Sequence, residues 1–189
     1  MTMTFINGMD KSILDEIEMI GGQYKENVQS ANALQMMKNN GVNAIRLRIC
    51  HDPEGGLYNL ERTLLMAKRI KALNMHFLLD FHYSDKWTAP ADQWRPKTWE
   101  LHDLVNDKVF NYTYFVLSKL KEQDTLPVMV QIGSEMNPGM LWNDGKVTGE
   151  FGTVEQWEKF TTTVKSGVEA TKLVDSSIPI IVHIDRDLN

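Results

Sequence analysis

One short segment of the sequence joins a buried-type strand to residues that could perform acid–base chemistry. Residues 130–142 read VQIGSEMNPGMLW, in which an apolar run ends at Gly133 and is followed at once by Ser134, Glu135 and Asn137. A carboxyl group in a partly dry pocket can act as a general acid, because it keeps its proton until a leaving group takes it. An isolated glutamate in a loop is usually only solvated, so the rest of the chain must decide between these two interpretations.

Four further apolar runs carry polar side chains in equivalent positions. These are Asp10 after the first run, Arg46 and Arg48 on the second, Asp80, His82, Tyr83 and Asp85 at the end of the third, and His183 and Asp185 on the fifth. Arg46 and Arg48 are two residues apart and therefore lie on one face of a strand. In parallel α/β folds the carboxyl ends of the strands form the ligand site, so the pattern predicts one shared pocket that includes Glu135.

Each of these residues also has a purely structural interpretation. Arg46 and Arg48 could be paired structural arginines, and Asp80 and His82 could simply bond neighbouring backbone. A metal site is not indicated, because the five histidines show no ligand spacing and Cys50 is the only cysteine. The sequence therefore favours acid–base and binding chemistry without a metal or another cofactor.

The tryptophans divide between loops and a helical pattern. Trp87 and Trp142 follow the polar ends of the third and fourth runs, whereas Trp157 falls within a helical pattern and is predicted to lie in the core. A flat indole beside carboxylates suits the apolar face of a sugar ring, whose hydroxyl groups bond the charged residues. The loop tryptophans thus indicate a carbohydrate ligand.

Short β-type runs alternate along the chain with longer segments of helical period. The predicted strands are Phe5–Met9, Ala44–Ile49, His76–Phe81, Val128–Ile132 and Ile180–Ile184. The predicted helices are Ala31–Lys38 with Ser30 as its N-cap and Gly41 after its end, Leu60–Leu73, Asp103–Leu120, and Thr153–Val174, which tolerates Gly167 in its interior. Helices between continuous apolar strands predict right-handed βαβ units around a parallel sheet, in a single α/β domain over residues 1–189.

Composition limits the classes of partner. The net charge is −5 and the basic residues are scattered, which argues against nucleic-acid binding. No apolar stretch is long enough to span a bilayer, which argues against a membrane partner. The first ten residues, MTMTFINGMD, lack the pattern of a secretory signal, so a cytoplasmic location or a removed leader is expected.

Four segments together resemble glycoside hydrolase family 53, the endo-β-1,4-galactanases that cut galactan and type I arabinogalactan side chains of pectin. They are FINGMD, GVNAIRLRI, LLDFHYSDKWTAPADQ and VQIGSEMNPGMLWNDGK. The resemblance implies a (β/α)8 barrel, a retaining mechanism with two glutamates and a galactan or arabinogalactan substrate. It implies that Glu135 is the general acid/base and that the substrate-binding positions are Asp10, Arg46, Asp80, His82, Trp87, Ser134, Asn137 and Trp142.

The sequence departs from this family in several respects. The family's nucleophilic glutamate ends a seventh strand, and the pattern here predicts only about five βα units, so the barrel is expected to be incomplete and no residue is assigned as nucleophile. Ser134 stands where the family has an asparagine before its acid/base glutamate. Members of the family are mostly secreted, whereas this chain shows no signal.

Three functional hypotheses remain open at this point. The chain is a galactanase whose missing part comes from elsewhere, a non-catalytic galactan-binding remnant, or an incomplete fragment without activity of its own. Open strand edges and exposed apolar inner faces on five strands predict a homo-oligomer, most simply a two-fold dimer that buries them.

Overall fold

Parallel strands with helices along one face form the body of the protein. The computed structural model describes residues 5–27, 29–100 and 104–185. In chain order, the described strands are β1 (Gly8–Asp10), β2 (Tyr24–Glu26), β3 (Gln29–Ala31), β4 (Ala44–Ile49), β5 (His76–Phe81), β6 (Met129–Ile132), β7 (Gly139–Met140), β8 (Gly145–Lys146) and β9 (Ile180–Ile181). The described α-helices are α1 (Leu14–Met19), α2 (Ala33–Asn39), α3 (Leu60–Ala72), α4 (Val105–Glu122) and α5 (Val154–Val174).

The main sheet confirms the predicted fold class. Its strands are ordered β1-β4-β5-β6-β9, and every neighbouring pair is parallel. Each strand is followed by at least one helix before the next strand of the sheet, so the described chain forms successive βα units of a barrel that is not closed. The pairs β2–β3 and β7–β8 are small antiparallel hairpins outside this sheet, and the sequence pattern did not predict them.

The central strands follow the predicted bounds more closely than the edge strands do. The strands β4 and β5 begin and end where the sequence predicts, and β6 begins one residue later. At the edges, β1 occupies residues 8–10 rather than 5–9, and β9 ends at Ile181 rather than at Ile184. An edge strand has a partner on one side only, so its ladder ends where that one neighbour turns away.

The predicted start of α2 is wrong by two residues. Ser30 and Ala31 pair with β2 in the first hairpin, and the helix begins at Ala33 after Asn32. The side chain of Asn32 accepts a hydrogen bond of 3.1 Å from the backbone N–H of Gln35, so Asn32 is the N-cap in place of Ser30. The short helix α1 was not predicted.

The two long helices α4 and α5 largely match their predicted ranges. Helix α4 runs on to Glu122, and the predicted first residue, Asp103, lies outside the described residues. Thr153 caps α5 by accepting a hydrogen bond of 3.2 Å from the N–H of Gln156.

The placement of Trp157 in the core is wrong, because its side chain on α5 is 48% exposed. No helix in the described ranges is long and apolar enough to cross a membrane.

The hydrophobic core lies between the sheet and the helices, and alternate residues of each strand point into it. On the three central strands these core residues are Ile45, Leu47, Ile49, Phe77, Leu79, Phe81, Val130 and Ile132. The opposite face, which would be the inside of a barrel, is less apolar than predicted. It carries Arg46 and Arg48 on β4, Asp80 on β5 and Gln131 on β6. Some exposed apolar side chains lie at the open edges, as with Met9 at 39% and Val182 at 52% exposure, and others lie on the outer faces of the helices.

Cys50, directly after β4, is fully enclosed. The pKa of its thiol is raised to about 12, mainly by burial. The Arg48 guanidinium acts to lower this pKa, and the carboxylates of Asp80 and Asp85 act to raise it. Its backbone carbonyl accepts a hydrogen bond of 2.8 Å from the hydroxyl of Tyr112. The side chain therefore behaves as a small hydrophobe of the core.

Gly167 marks the closest approach of α5 to the sheet. A Cβ atom at this position would lie 2.9 Å from the hydroxyl oxygen of Tyr83 and 3.0 Å from a methyl carbon of Ile132. Tyr83 is fully buried and its hydroxyl lies 2.7 Å from Oγ1 of Thr113, so it has little freedom to move. The sequence pattern treated Gly167 only as a tolerated break in the helix, but the packing of α5 against Tyr83 and Ile132 requires a residue without a side chain at this position.

The substitution Gly167→Ala should therefore destabilise the protein, although alanine is the better helix former. We expect a net loss of roughly 1 to 2 kcal/mol in the free energy of unfolding, since overpacking by one methyl group costs more than the helix propensity returns. Urea unfolding measures the change. The loss should be smaller in the Tyr83→Phe background, which lacks the hydroxyl; an equal loss in both backgrounds would mean that the close contact is not its cause.

Candidate active site

The guanidinium group of Arg46 joins its own strand to three others. It contacts the carboxylate of Asp10 on β1, donates from Nη2 to Oδ2 of Asp80 on β5 at 2.6 Å, and donates to Oε1 of Gln131 on β6 at 3.2 Å. Its side chain is 24% exposed while that of Asp80 is fully buried. A partly buried cation needs this pairing because removing its charge from water is costly.

Asp80, His82 and Thr88 form a buried chain of hydrogen bonds beside Arg46. The backbone N–H of Thr88 donates to Nδ1 of His82 at 3.0 Å. Nδ1 is therefore the unprotonated nitrogen of the ring, and Nε2 carries the hydrogen. Nε2 then donates to Oδ2 of Asp80 at 2.8 Å. The other carboxylate oxygen of Asp80 has no hydrogen-bond partner among the described residues. The predicted pair thus fixes the loop that follows β5.

Asp10 is held as an anion at the end of β1. Burial would raise the pKa of its carboxyl group, but the N–H and hydroxyl of Ser12 donate to it at 3.0 and 2.8 Å and the charges of Arg48 and Arg46 act in the same sense. The net result is a pKa below the usual range of aspartate. Asp10 is accordingly ionised at neutral pH and offers an acceptor at the open edge of the sheet.

Arg48 and Trp87 form a stacked pair. The guanidinium carbon lies 3.1 Å from the centroid of the indole, and Nη2 reaches Oδ2 of Asp10 at 3.4 Å. Trp87 is 52% exposed although one of its faces is covered by the arginine. The structure therefore supports a structural role for Arg48, as a positioning group, and leaves part of the indole accessible to a ligand.

Glu135 lies on the loop that follows β6, at the carboxyl end of the sheet. Its backbone adopts a left-handed conformation with φ of +51°, which is uncommon for a residue other than glycine. The amide of Gln93 donates to the carbonyl groups of Ser134 and Glu135 at 2.8 and 3.3 Å, and the N–H of Glu135 donates to Nδ1 of His183 at 3.3 Å. Its carboxylate makes no hydrogen bond or ion pair to any residue that the structure describes.

The two predicted neighbours of Glu135 have structural partners. Ser134 is 4% exposed, and its hydroxyl oxygen lies 3.3 Å from Nδ1 of His183. Asn137 uses both ends of its amide on the backbone of Asp185, donating to the carbonyl and accepting from the N–H at 2.7 Å each. These contacts attach the loop after β6 to the chain that follows β9.

The side chain of Trp142 is too buried to offer a broad ring face to a sugar. It is 9% exposed, donates from Nε1 to the carbonyl of Pro138 at 3.3 Å, and has the ammonium of Lys146 at 4.3 Å from its ring centroid. The edge of Trp94 meets it at 5.5 Å between ring centroids, with an interplanar angle of 80°. Trp94 is 48% exposed and is the more accessible indole of this pair.

Gln131 connects the charged network to the loop of Glu135. Its Oε1 accepts from Arg46, and its Nε2 donates to the carbonyl of Gly133 at 2.8 Å. The sequence pattern placed Gln131 and His183 at strand ends without giving them a role, and it missed Gln93 altogether. Gln93 ends the segment LLDFHYSDKWTAPADQ, but that segment does not reveal its role, since its partners are backbone carbonyls that only the fold brings near.

The assembled site combines fixed charges with an accessible indole. Asp10, Arg46, Asp80 and His82 form one network, and Glu135 stands beside it with a free carboxylate. Among the described residues, no group of three histidines, cysteines or carboxylates could hold a metal ion. An ionised acceptor, fixed donors and an accessible indole are suited to the hydroxyl groups and apolar face of a sugar.

Comparisons with known proteins point to one family. The profile of Glycosyl hydrolase family 53 matches residues 6–189. The protein named "Uncharacterized protein in bgaB 5'region" of Niallia circulans is 55% identical over 96% of this chain and 51% of its own length. The arabinogalactan endo-beta-1,4-galactanase of Thermothelomyces thermophilus is 34% identical over 95% of this chain and 53% of its own length.

A solved structure agrees with these relatives. The Ignisphaera aggregans GH53 catalytic domain superposes with a TM-score of 0.87 at 38% identity, and the match covers 95% of this chain and 51% of that one. The chain thus spans about half the length of the curated relatives it matches, and its sheet corresponds to part of their (β/α)8 barrel.

Removing the buried carboxylate of the network should be costly. Asp80→Ala leaves Arg46 and His82 without a shared acceptor, so we expect it to reduce the free energy of unfolding by roughly 3 to 5 kcal/mol. Urea denaturation gives the measurement. Asp124→Ala is the matched control, because Asp124 is paired with Lys71 but its side chain is 93% exposed, and it should cost no more than about 1 kcal/mol. Equal losses would contradict the role given to Asp80.

Proposed function

Because the chain belongs to glycosyl hydrolase family 53, we propose that it carries the acid/base part of an endo-β-1,4-galactanase site and binds β-1,4-galactan or arabinogalactan. Relatives that are named arabinogalactan endo-beta-1,4-galactanase match nearly the whole chain, which supports this substrate class. The activity of those proteins belongs to chains about twice as long, so for this chain it remains a proposal.

The observation that carries the proposal is the free carboxylate of Glu135. The loop that bears it is fixed by Gln93 and His183 through its backbone, so these bonds position the side chain without occupying it. A general acid requires this arrangement, because it must be fixed in place while its oxygen remains free to reach the glycosidic oxygen. We assign Glu135 the role of general acid/base.

The remaining site residues bind and position the sugar in this proposal. Asp10 and Arg46 have partly exposed side chains, at 34% and 24%, that can bond hydroxyl groups. Trp87 offers its accessible indole surface to the apolar face of a ring. Asp80 and His82 are buried and act through Arg46 and through the loop after β5. Ser134, Asn137 and Trp142 support the loop around Glu135.

A retaining mechanism needs a second carboxylate roughly 5 to 5.5 Å from the acid, which attacks the anomeric carbon. The family resemblance assigns that group to a seventh strand, and we assign it to none of the residues described here. Galactan binding without hydrolysis is therefore the alternative function. It is favoured by the same observation, a site whose acid and binding residues are present while the nucleophile is unassigned.

The first experiment tests binding at Glu135 by carbodiimide labelling of carboxyl groups with mass-spectrometric readout. Galactotetraose should protect Glu135 from labelling at least several-fold, because the sugar covers its free carboxylate. The exposed Glu150 is the internal control and should be labelled equally with and without ligand. Cellotetraose, which differs in the configuration at C4 of each ring, should protect less. Undiminished labelling of Glu135 with galactotetraose would contradict the proposal.

Release of reducing ends from linear β-1,4-galactan separates hydrolysis from binding alone. Hydrolysis that falls by about 100-fold or more in Glu135→Gln supports the acid/base role, since a general acid contributes about that factor or more. Protection of Glu135 without release supports the binding function. The absence of both protection and release excludes both functions and leaves an incomplete fragment without activity of its own.

We further propose that a second copy of the chain covers the open edges of the sheet. Among the described strands, β1 has a hydrogen-bonded neighbour on one side only, and Met9 on it and Phe5 and Ile6 before it are exposed. Unpaired edges with exposed apolar side chains associate with matching surfaces. The simplest arrangement is a two-fold dimer.

Sedimentation equilibrium tests this assembly. The 21.7 kDa chain should sediment as a dimer, and Met9→Lys should shift it to the monomer because a charge then lies on the edge strand. Met19→Lys is the matched control, since Met19 is also exposed but lies on helix α1 and not on the edge strand, and it should leave the dimer intact. A folded wild-type monomer would refute the proposal.

A further inference from the structure

A large cavity lies beside the candidate active site, between the loop after β4 and the loop after β5. Its volume is about 710 Å³, within the range of ligand-binding clefts, and neither Glu135 nor the Arg46 network lines it. The loop after β4 contributes Asp52 and Glu54, and the loop after β5 contributes Trp94, Arg95 and Lys97. No residue in this wall has a role in the proposed acid–base chemistry.

The walls of the cavity are held in place by specific contacts. Asp85 accepts a hydrogen bond from the N–H of Asp52 at 3.2 Å and another from the N–H of Lys97 at 2.8 Å, so one carboxylate ties the two loops together. Arg95 forms an ion pair of 2.9 Å with Asp144 on the turn between β7 and β8. The two loops that line the cavity are consequently held in place by contacts to each other and to Asp144.

The lining has the chemistry of a neutral sugar site. Three acidic side chains, Asp52, Glu54 and Asp85, and three basic side chains, Lys86, Arg95 and Lys97, cancel in formal charge. This balance favours neither a polyanion nor a polycation. The half-exposed indole of Trp94 supplies the apolar surface on which a sugar ring packs, and the surrounding charges supply hydrogen bonds for its hydroxyl groups.

The cavity is connected to the candidate active site through adjacent residues. Trp94 packs edge-on against Trp142, and the N–H of Trp142 donates to the carbonyl of Gln93 at 2.8 Å. Gln93 in turn donates to the carbonyl groups of Ser134 and Glu135. Gln93 therefore links the position of Trp94 to that of the loop that bears Glu135.

We propose that this cavity is an accessory saccharide site that binds distal units of the polysaccharide lying at Glu135, with Trp94 as its platform. The inference rests on the proposed function and extends it, because it makes the chain a binder of long galactan rather than of short fragments. The distal units are neutral hexoses of the galactan backbone, which the balanced charges and the indole accommodate.

Isothermal titration calorimetry on the 189-residue chain tests the inference with galactobiose and galactohexaose as ligands. Trp94→Ala should weaken galactohexaose binding about 10-fold, since it removes an aromatic contact, and should leave galactobiose binding unchanged. Trp94→Phe should restore most of the affinity. Trp157→Ala is the matched control, because Trp157 is also 48% exposed but lies on α5, and it should change neither affinity.

The outcomes separate this inference from the proposed function. Wild-type protein that binds neither oligosaccharide overturns the proposed function and the accessory site together. Binding of both ligands that is unaffected by Trp94→Ala overturns only the accessory site. Equal weakening of both ligands by Trp94→Ala also overturns it, because the effect would then act through Trp142 at the main site.

Discussion

The pairing of Arg46 is the constraint on which the rest of the structure depends. A cation on the inner face of a parallel sheet must be neutralised, and its partners here come from β1, β5 and β6. They converge only in the observed registers, which set Asp10 opposite Arg46 and Asp80 opposite Gln131. A slip of one residue would turn a polar side chain into the helix-facing core, so the charge network specifies register as well as function.

The same network sets the positions of the loops that reach the ligand. His82 extends it from Asp80 to the N–H of Thr88, next to Trp87. Gln131 extends it to the carbonyl of Gly133, at the start of the loop that carries Glu135. Two loops that are far apart in sequence are thereby fixed to one guanidinium group. The buried carboxylate of Asp80 belongs to this scaffold, whereas the carboxylate of Glu135 makes no hydrogen bond or ion pair to a described residue.

Much of this arrangement is readable from the sequence, and the parts that are not have physical reasons. The bounds of β4 and β5 follow from short runs rich in apolar residues, AIRLRI and HFLLDF, which pair with a neighbour on both sides. Asp10, Arg46, Asp80 and His82 were predicted to lie together because parallel strands bring their carboxyl ends together, and they do form one network. The first hairpin was missed since its strands are three residues long and mostly exposed, so no apolar period marks them.

Side-chain exposure was the least predictable property. Trp142 and Trp157 were assigned from local pattern, but Trp142 is covered by residues from its own hairpin, and Trp157 lies on the solvent side of a helix that buries other positions. The role of Gln93 was unreadable for a related reason, because its hydrogen bonds go to backbone carbonyls 41 and 42 residues away. Such contacts exist only once the fold has formed.

The enclosure of Cys50 makes the protein a convenient object for site-directed probes. A thiol with a pKa near 12 and no exposed surface is almost entirely protonated at neutral pH and does not react with maleimides or disulfide reagents while the protein is folded. It is also the only cysteine of the chain. A cysteine introduced on the loop after β5 or the loop after β6 would therefore be the single reactive position, and a dye attached there would report the binding of a ligand without any change to the native thiol.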